Sequence, residues 1–167
     1  MSEERQDERW PAQGPTLIGI VCGSESDLPT MRQAGAILER FGVGYELRVM
    51  SAHRNPDLVD EWSRTAEERG MVAVIAGAGM ANHLAGAIAA RTSLPVIGVP
   101  LAGKYLEGMD ALLSTVQMPS GVPVATVAIN SATNAAILAA QIVAVRDDGV
   151  RLKLHEFKDS LDEGFRP

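Results

Sequence analysis

His53 and Arg54 stand side by side in the run Ser51-Ala52-His53-Arg54-Asn55-Pro56. Histidine exchanges protons near neutral pH. Arginine offers a planar, permanently charged fork that suits a phosphate or a carboxylate. In isolation the pair reads more simply as a loop imidazole bonded to backbone beside a surface ion pair. Its place at the end of a strand is what tips the reading toward chemistry. A second run, Gly23-Ser24-Glu25-Ser26-Asp27, suits an anion. Gly23 lets backbone come close, Ser24 and Ser26 supply hydroxyl donors, and the helix that follows presents free N–H groups. Asp27 ahead of Leu28-Pro29 is also a good helix N-cap followed by an early-turn proline. On these residues alone, anion binding and plain turn-shaping are equally good accounts. The run lacks the Gly-Lys-Ser/Thr ending of a Walker loop.

A third run, Gly77-Ala78-Gly79-Met80-Ala81-Asn82-His83, is small and largely uncharged. It can close over a flat ligand and exclude water. His83 either faces that ligand or caps the next helix. The Gly-x-Gly is a weak sign of a dinucleotide fold, because the full spacing is missing and it follows the third strand rather than the first. Other candidates fall away. His53, His83 and His155 are too scattered to predict a metal site, and no His-x-x-x-His pair occurs. Cys22 ends an apolar strand and reads as core rather than nucleophile. Ser24 does not sit in a nucleophile elbow.

What must position these runs is an alternation of strand-like and helix-like segments. Leu17–Cys22, Tyr45–Met50, Val72–Ala76, Pro95–Val99 and Val122–Ile129 read as strands. Met31, Ala34, Ile37, Leu38 and Phe41 recur at helical spacing, as do Leu58, Val59, Trp62 and Ala66. Asn82–Arg91, Met109–Val116, Ala132–Val145 and Val150–Leu161 supply further helices. Strands three to five are nearly continuous apolar runs, as parallel strands covered on both faces should be. Alternating units of this kind wind a sheet with right-handed crossovers. The prediction is an α/β fold: a flavodoxin-like three-layer α/β/α sandwich with a five-stranded parallel sheet. Ligands of such a sheet bind beyond the carboxyl ends of its strands, where all three runs fall. The catalytic domain is placed at 16–147, with a flexible N-terminal extension at 1–15 and a C-terminal helix and tail at 148–167. The helix Ala132–Val145 carries little polar surface beyond Asn134 and Gln141. It must be hidden by another segment or another subunit, and a subunit is the expectation.

Composition narrows the field. The 167 residues are 46% hydrophobic and 22% charged, as one ordinary globular domain would be. A net charge of −6 argues against a broad nucleic-acid or anionic-membrane surface. Aromatic residues at 4% supply few stacking platforms for single strands. A single cysteine excludes an internal disulfide framework and fits a reducing cytoplasm. The first 14 residues lack the apolar stretch of a secretory signal, and no run is long enough to predict a membrane span.

Taken in order, the runs resemble a known family. Gly23–Asp27, Ser51–Pro56, Gly77–Gly79 with His83-Leu84, Val116-Gln117-Met118-Pro119-Ser120-Gly121-Val122-Pro123-Val124 and Asn134–Ile142 are similar to motifs of the PurE family, the N5-carboxyaminoimidazole ribonucleotide mutases of purine biosynthesis. The similarity spans about residues 16–147. It implies conversion of N5-carboxyaminoimidazole ribonucleotide to 4-carboxy-5-aminoimidazole ribonucleotide, without ATP, metal or other cofactor. It also implies a cytoplasmic homo-oligomer, usually an octamer. By carry-over, Ser24, Ser26 and Arg54 hold the 5′-phosphate, Asp27 binds ribose hydroxyls, and His53 transfers the proton. Ser51, Ala52, Gly77, Ala78, Gly79, His83 and Leu84 surround the base and carboxylate. The stretch 117–121 reaches a neighbouring subunit's site. One segment departs from the pattern. Bacterial mutases usually read Gly-Gly-Ala-Ala-His-Leu-Pro-Gly, where this chain has Gly79-Met80-Ala81-Asn82-His83-Leu84-Ala85-Gly86. Related carboxylases that use carbon dioxide directly carry Asn and lack the His. Asn82 thus echoes the carboxylases, while His83 and the other motifs favour the mutases. The rival readings are that carboxylase activity and a non-catalytic nucleotide-binding module on the same fold.

Overall fold

The structure, a computed structural model, describes residues 16–167. The extension expected at 1–15 lies outside the described residues. Short β-rich runs alternate with helical ones, and the strands pair in parallel. They are Thr16–Cys22 (β1), Gly44–Val49 (β2), Ala73–Gly79 (β3), Val96–Leu101 (β4) and Ala125–Thr126 (β5), in the spatial order β2-β1-β3-β4-β5. The helices are Leu28–Phe41 (α1), Pro56–Thr65 (α2), Leu84–Ala89 (α3), Met109–Val116 (α4), Ala132–Ala144 (α5) and Asp148–Asp162 (α6). This is the flavodoxin-like sandwich that the sequence predicts.

Side chains of a strand alternate between faces, and each face of the sheet builds its own core. Ile18, Ile20, Ile75, Ile97 and Val99 pack against α1, α5 and α6. Val21, Val74, Ala76 and Val96 pack against α2 and α3. α4 lies on this second face as well: a Cβ at Gly98 of β4 would overlap Thr115 of α4 and crowd Ala85 of α3. Only glycine lets those two helices sit this close to the strand.

Two elements differ from expectation. The fifth strand, expected over Val122–Ile129, pairs only through Ala125 and Thr126, with one further bond from the Val127 amide to the Gly98 carbonyl. It is the sheet edge, and Gly121 (φ 96°) and Pro123, which has no N–H, delay entry into the ladder. The third helix, expected from Asn82, starts at Leu84, because Asn82 is bonded away from the helix axis. One face of α5 is hidden, and the cover for that face comes from its own chain. Ala135, Ala136, Ala139 and Ala140 are fully enclosed between the sheet, α1 and α6. Val150, Leu154 and Phe157 of α6 join the same core. Ile137, Leu138 and Ile142 on the rest of α5 stay only partly buried.

Candidate active site

In this strand order the sheet switches direction between β1 and β3, and a crevice opens there beyond the carboxyl ends. Backbone bonds lace the three strand ends together. The Gly23 amide donates to the Gly77 carbonyl at 3.1 Å, and the Met50 amide donates to the Cys22 carbonyl at 2.9 Å. The runs that follow β1, β2 and β3 are thereby held along one edge.

After β1 the chain makes one 3-10 turn, Glu25–Asp27. Ser24 caps it: its Oγ accepts from the Ser26 amide at 3.4 Å and from the Ser26 hydroxyl at 3.1 Å. The Ser24 hydroxyl proton is left to donate elsewhere. Asp27 occupies the N-cap position of α1, yet its side chain makes no capping bond. Its Oδ2 instead lies 3.8 Å from where a Cβ of Gly23 would stand, a point that Ala78 Cβ approaches to 3.2 Å. Burial raises the Asp27 pKa above its usual 3.8. Hydrogen bonds from Ser24 and Ser26 and the charge of Arg54 oppose the rise without cancelling it.

After β2, Ser51–Asn55 closes on itself. The Ser51 amide donates to Asn55 Oδ1 at 2.7 Å, and the Asn55 amide returns to the Ser51 carbonyl at 2.9 Å. Ser51 Oγ accepts from the Arg54 amide at 3.3 Å. Pro56 then opens α2 at a position where no N–H is needed. The closed loop throws His53 and Arg54 outward on adjacent residues, both exposed. Arg54 Nη2 donates to the Gly23 carbonyl at 2.7 Å, which carries the cation to the Ser-rich turn.

After β3 come Gly77, Ala78 and Gly79. A Cβ at Gly77 would overlap the Met31 thioether, so α1 presses directly on the strand end. The exposed His83 brings its ring to that of His53. Its Nδ1 lies 2.9 Å from His53 Nε2, and the rings meet edge to face. One nitrogen of this contact donates and the other accepts, which couples the tautomers of the two imidazoles. His83 occupies the N-cap position of α3 but makes no side-chain capping bond. Ala52, Ala78 and Gly79 are partly exposed along the same edge. Leu84 differs: the residue is 3% exposed and belongs to the core under α3.

Two residues outside the expected set shape the site. Asn55 closes the imidazole-bearing loop; an Asn-Pro pair ending a polar turn is the signal that would have found it. Asn82 is fully enclosed. Its Nδ2 donates to Thr115 Oγ1 at 2.8 Å and to the Val99 carbonyl at 3.3 Å, and its backbone N–H donates to Ser114 Oγ at 2.9 Å. Its side chain thus faces α4 and β4, away from the crevice. Its Oδ1 is buried with no hydrogen-bond partner among the described residues, which costs about 1–3 kcal/mol. Cys22, at the end of β1, is buried, and desolvation first and the Asp27 charge second push its thiol up to about 12. It stays a neutral core group. Among the described residues no three metal-ligating side chains come together, and no helix is long and apolar enough to cross a membrane.

The arrangement brings a hydroxyl-bearing turn with an arginine seated on it, a carboxylate and two imidazole rings to one switch point. Comparison with known proteins is consistent with that chemistry. A family model described as AIR carboxylase matches residues 17–164. An N5-carboxyaminoimidazole ribonucleotide mutase of Thermotoga maritima is 54% identical over 144 residues, 86% of this chain and 84% of that protein. One of the same name from Pyrococcus horikoshii is 55% identical over 145 residues, 87% of this chain and 82% of that protein. The crystal structure of Treponema denticola PurE superposes with a TM-score of 0.81 at 29% identity, covering 89% of this chain and 92% of that one.

Proposed function

This chain belongs to the AIR carboxylase family, and on that premise we propose that it is an N5-carboxyaminoimidazole ribonucleotide mutase. It moves a carboxylate from the exocyclic nitrogen to the ring carbon in purine biosynthesis. The observation that carries this reading is the His53–His83 ring contact of 2.9 Å beside the Ser24–Asp27 turn. Proton-exchanging rings and an anion turn along one sheet edge match a substrate with a reactive ring at one end and a phosphate at the other.

The reaction proceeds by decarboxylation and recarboxylation. Imidazolium His53 gives its proton to the exocyclic nitrogen as the nitrogen–carboxyl bond breaks. The electron pair stays on nitrogen, and neutral carbon dioxide is released. Gly77–Gly79 and the ring of His83 confine that molecule beside the base, so that recapture competes with escape. The ring carbon then attacks carbon dioxide. Neutral His53 removes the proton from that carbon, which restores aromaticity and returns the imidazolium. Charge and protons balance over the cycle without ATP or an added electron acceptor. Ser24, Ser26 and Arg54 hold the 5′-phosphate and Asp27 the ribose hydroxyls, so binding energy at the remote end positions the base. Ser51, Ala52 and the backbone at Leu84 complete the wall.

The same reading makes the protein a cytoplasmic homo-oligomer, an octamer by similarity to its family, with 117–121 reaching a neighbour's site. The outward face of α4 supports an assembly: Met109, Leu113 and Val116 stand 51%, 51% and 47% exposed at helical spacing, next to exposed Tyr105 and Leu106. Light scattering on purified protein tests the octamer. For the chemistry, the purified protein is given the N5-carboxylated ribotide without bicarbonate. Direct formation of the C4-carboxylated product is expected. Product only from the decarboxylated ribotide plus bicarbonate would assign the carboxylase reaction instead, and ribotide affinity without turnover would leave a binding module.

A further inference from the structure

We propose that Asn82 is a positioning residue for His83, acting through α4 and never touching substrate. The inference rests on the reading that the His53–His83 pair serves the ribotide. Among the described residues the ring of His83 is held only by its contact with the exposed His53, and it makes no capping bond. The rest of its placement comes from the backbone that carries it. The residue before it supplies the fixing points. The backbone N–H of Asn82 reaches α4 at Ser114 Oγ, as that of any residue here could, while its side-chain Nδ2 reaches α4 at Thr115 Oγ1 and β4 at the Val99 carbonyl.

Both hydroxyls are pre-oriented to receive it. Thr115 Oγ1 donates down its own helix to the Ala111 carbonyl at 2.7 Å, and Ser114 Oγ donates to the Asp110 carbonyl at 2.8 Å. Their lone pairs are thus turned to the loop, and the Asn82 donors meet fixed acceptors. The loop needs such a hold. Met80 is in the left-handed region at φ 53°, a conformation that a non-glycine side chain resists. The His83 amide is spent on the nearby Ala81 carbonyl at 2.8 Å. A residue present only to fill space would be apolar here. The enclosed and unpartnered Oδ1 is the disadvantage of keeping an amide, which alanine would avoid. The donors of that amide, and not its bulk, explain its presence.

Turnover and binding are measured for the whole enzyme, for Asn82→Ala, for His83→Phe and for the double variant, with thermal unfolding of each. Imidazole ¹⁵N resonances of His53 and His83 are recorded alongside. Asn82→Ala is expected to lower kcat by about tenfold, since misplacement of a reacting group is costly in rate, while KM stays within roughly twofold. In the His83→Phe background the same change should alter kcat by less than about twofold, because residues acting through one another are not additive. The ring resonances should move in Asn82→Ala, including when no turnover is present to measure. If Asn82→Ala does not fold, Thr115→Val removes one acceptor and should move kcat and the resonances in the same direction. Equal loss of kcat in both backgrounds, or unmoved ring resonances in a folded variant, would overturn the proposal. Absence of turnover in the unaltered enzyme would count against the mutase reading alone, since the resonances still decide the role of Asn82.

Discussion

Arg54 Nη2 and the Gly23 carbonyl are joined at 2.7 Å, so the cation of the β2 loop sits on the serine-bearing turn of the β1 loop. The guanidinium has five N–H donors in a fixed fork, and one bond to backbone leaves others for a phosphate. Holding the side chain in place lowers the ordering cost of binding. Replacement of Arg54 by Ala should therefore act on binding: KM for the ribotide is expected to rise by about tenfold or more, the scale of one charge-assisted hydrogen bond, with a smaller change in kcat. Steady-state kinetics check this, and an unchanged KM would remove Arg54 from the phosphate site.

His53 carries the opposite expectation. In His53→Asn the amide keeps a polar side chain on the same loop but exchanges no proton at neutral pH. Turnover should fall by at least about 10²–10⁴-fold, the usual worth of general acid–base catalysis, while the dissociation constant for the ribotide stays close to that of the unaltered enzyme. Calorimetric binding and single-turnover assays separate the two quantities. Near-normal turnover in a folded His53→Asn protein would reject the proton-transfer role.

How much of this was legible without coordinates differs by element. The sheet was, because continuous apolar runs broken by helical periodicity admit few arrangements, and the order β2-β1-β3-β4-β5 puts the three candidate runs at one edge. The fifth strand was not: Val122–Ile129 has the right residues, but edge position and Pro123 leave only Ala125–Thr126 paired. The alanine-rich α5 signalled burial correctly and gave no sign of what would do the burying, since its own α6 and a second subunit present equivalent apolar cover. Within the site, residue types suggested that His53, Arg54 and the serines belong together. The bonding of Asn82 was hidden, because its partners Val99 and Thr115 are distant in sequence and an asparagine beside a ligand loop looks the same whichever way it points.

Cys22 offers a test of the strand-end packing. Its thiol is fully buried and pushed up to about 12, first by desolvation and then by the nearby Asp27 charge. The thiolate is the reactive form, so almost none is present near neutral pH. Iodoacetamide at about pH 8 should leave the native protein unmodified and label it promptly after denaturation. Intact-protein mass spectrometry reads the outcome; fast labelling of folded protein would show that the end of β1 is open to solvent.

Asp27 ties function to stability through its charge. Burial lifts its pKa above 3.8 in the folded protein, against the hydrogen bonds of Ser24 and Ser26 and the charge of Arg54. A raised carboxyl pKa means that the folded state binds the proton more tightly than the unfolded chain does. Its contribution to stability is thus full below the unfolded value and is lost as pH rises through the folded one. Near neutral pH the carboxylate works against folding, although it suits ribose hydroxyls. Asp27→Asn removes the ionisation and keeps the shape. Its melting temperature should exceed that of the unaltered protein at about pH 7, and the difference should shrink as pH falls toward about 4. KM for the ribotide should rise in the same variant, because an amide accepts fewer hydroxyl hydrogen bonds than a carboxylate. Thermal unfolding across that pH range, with kinetics at one pH, checks both halves. A stability difference that widens on acidification would contradict the sign of the shift, and an unaltered KM would take Asp27 out of the ribose site.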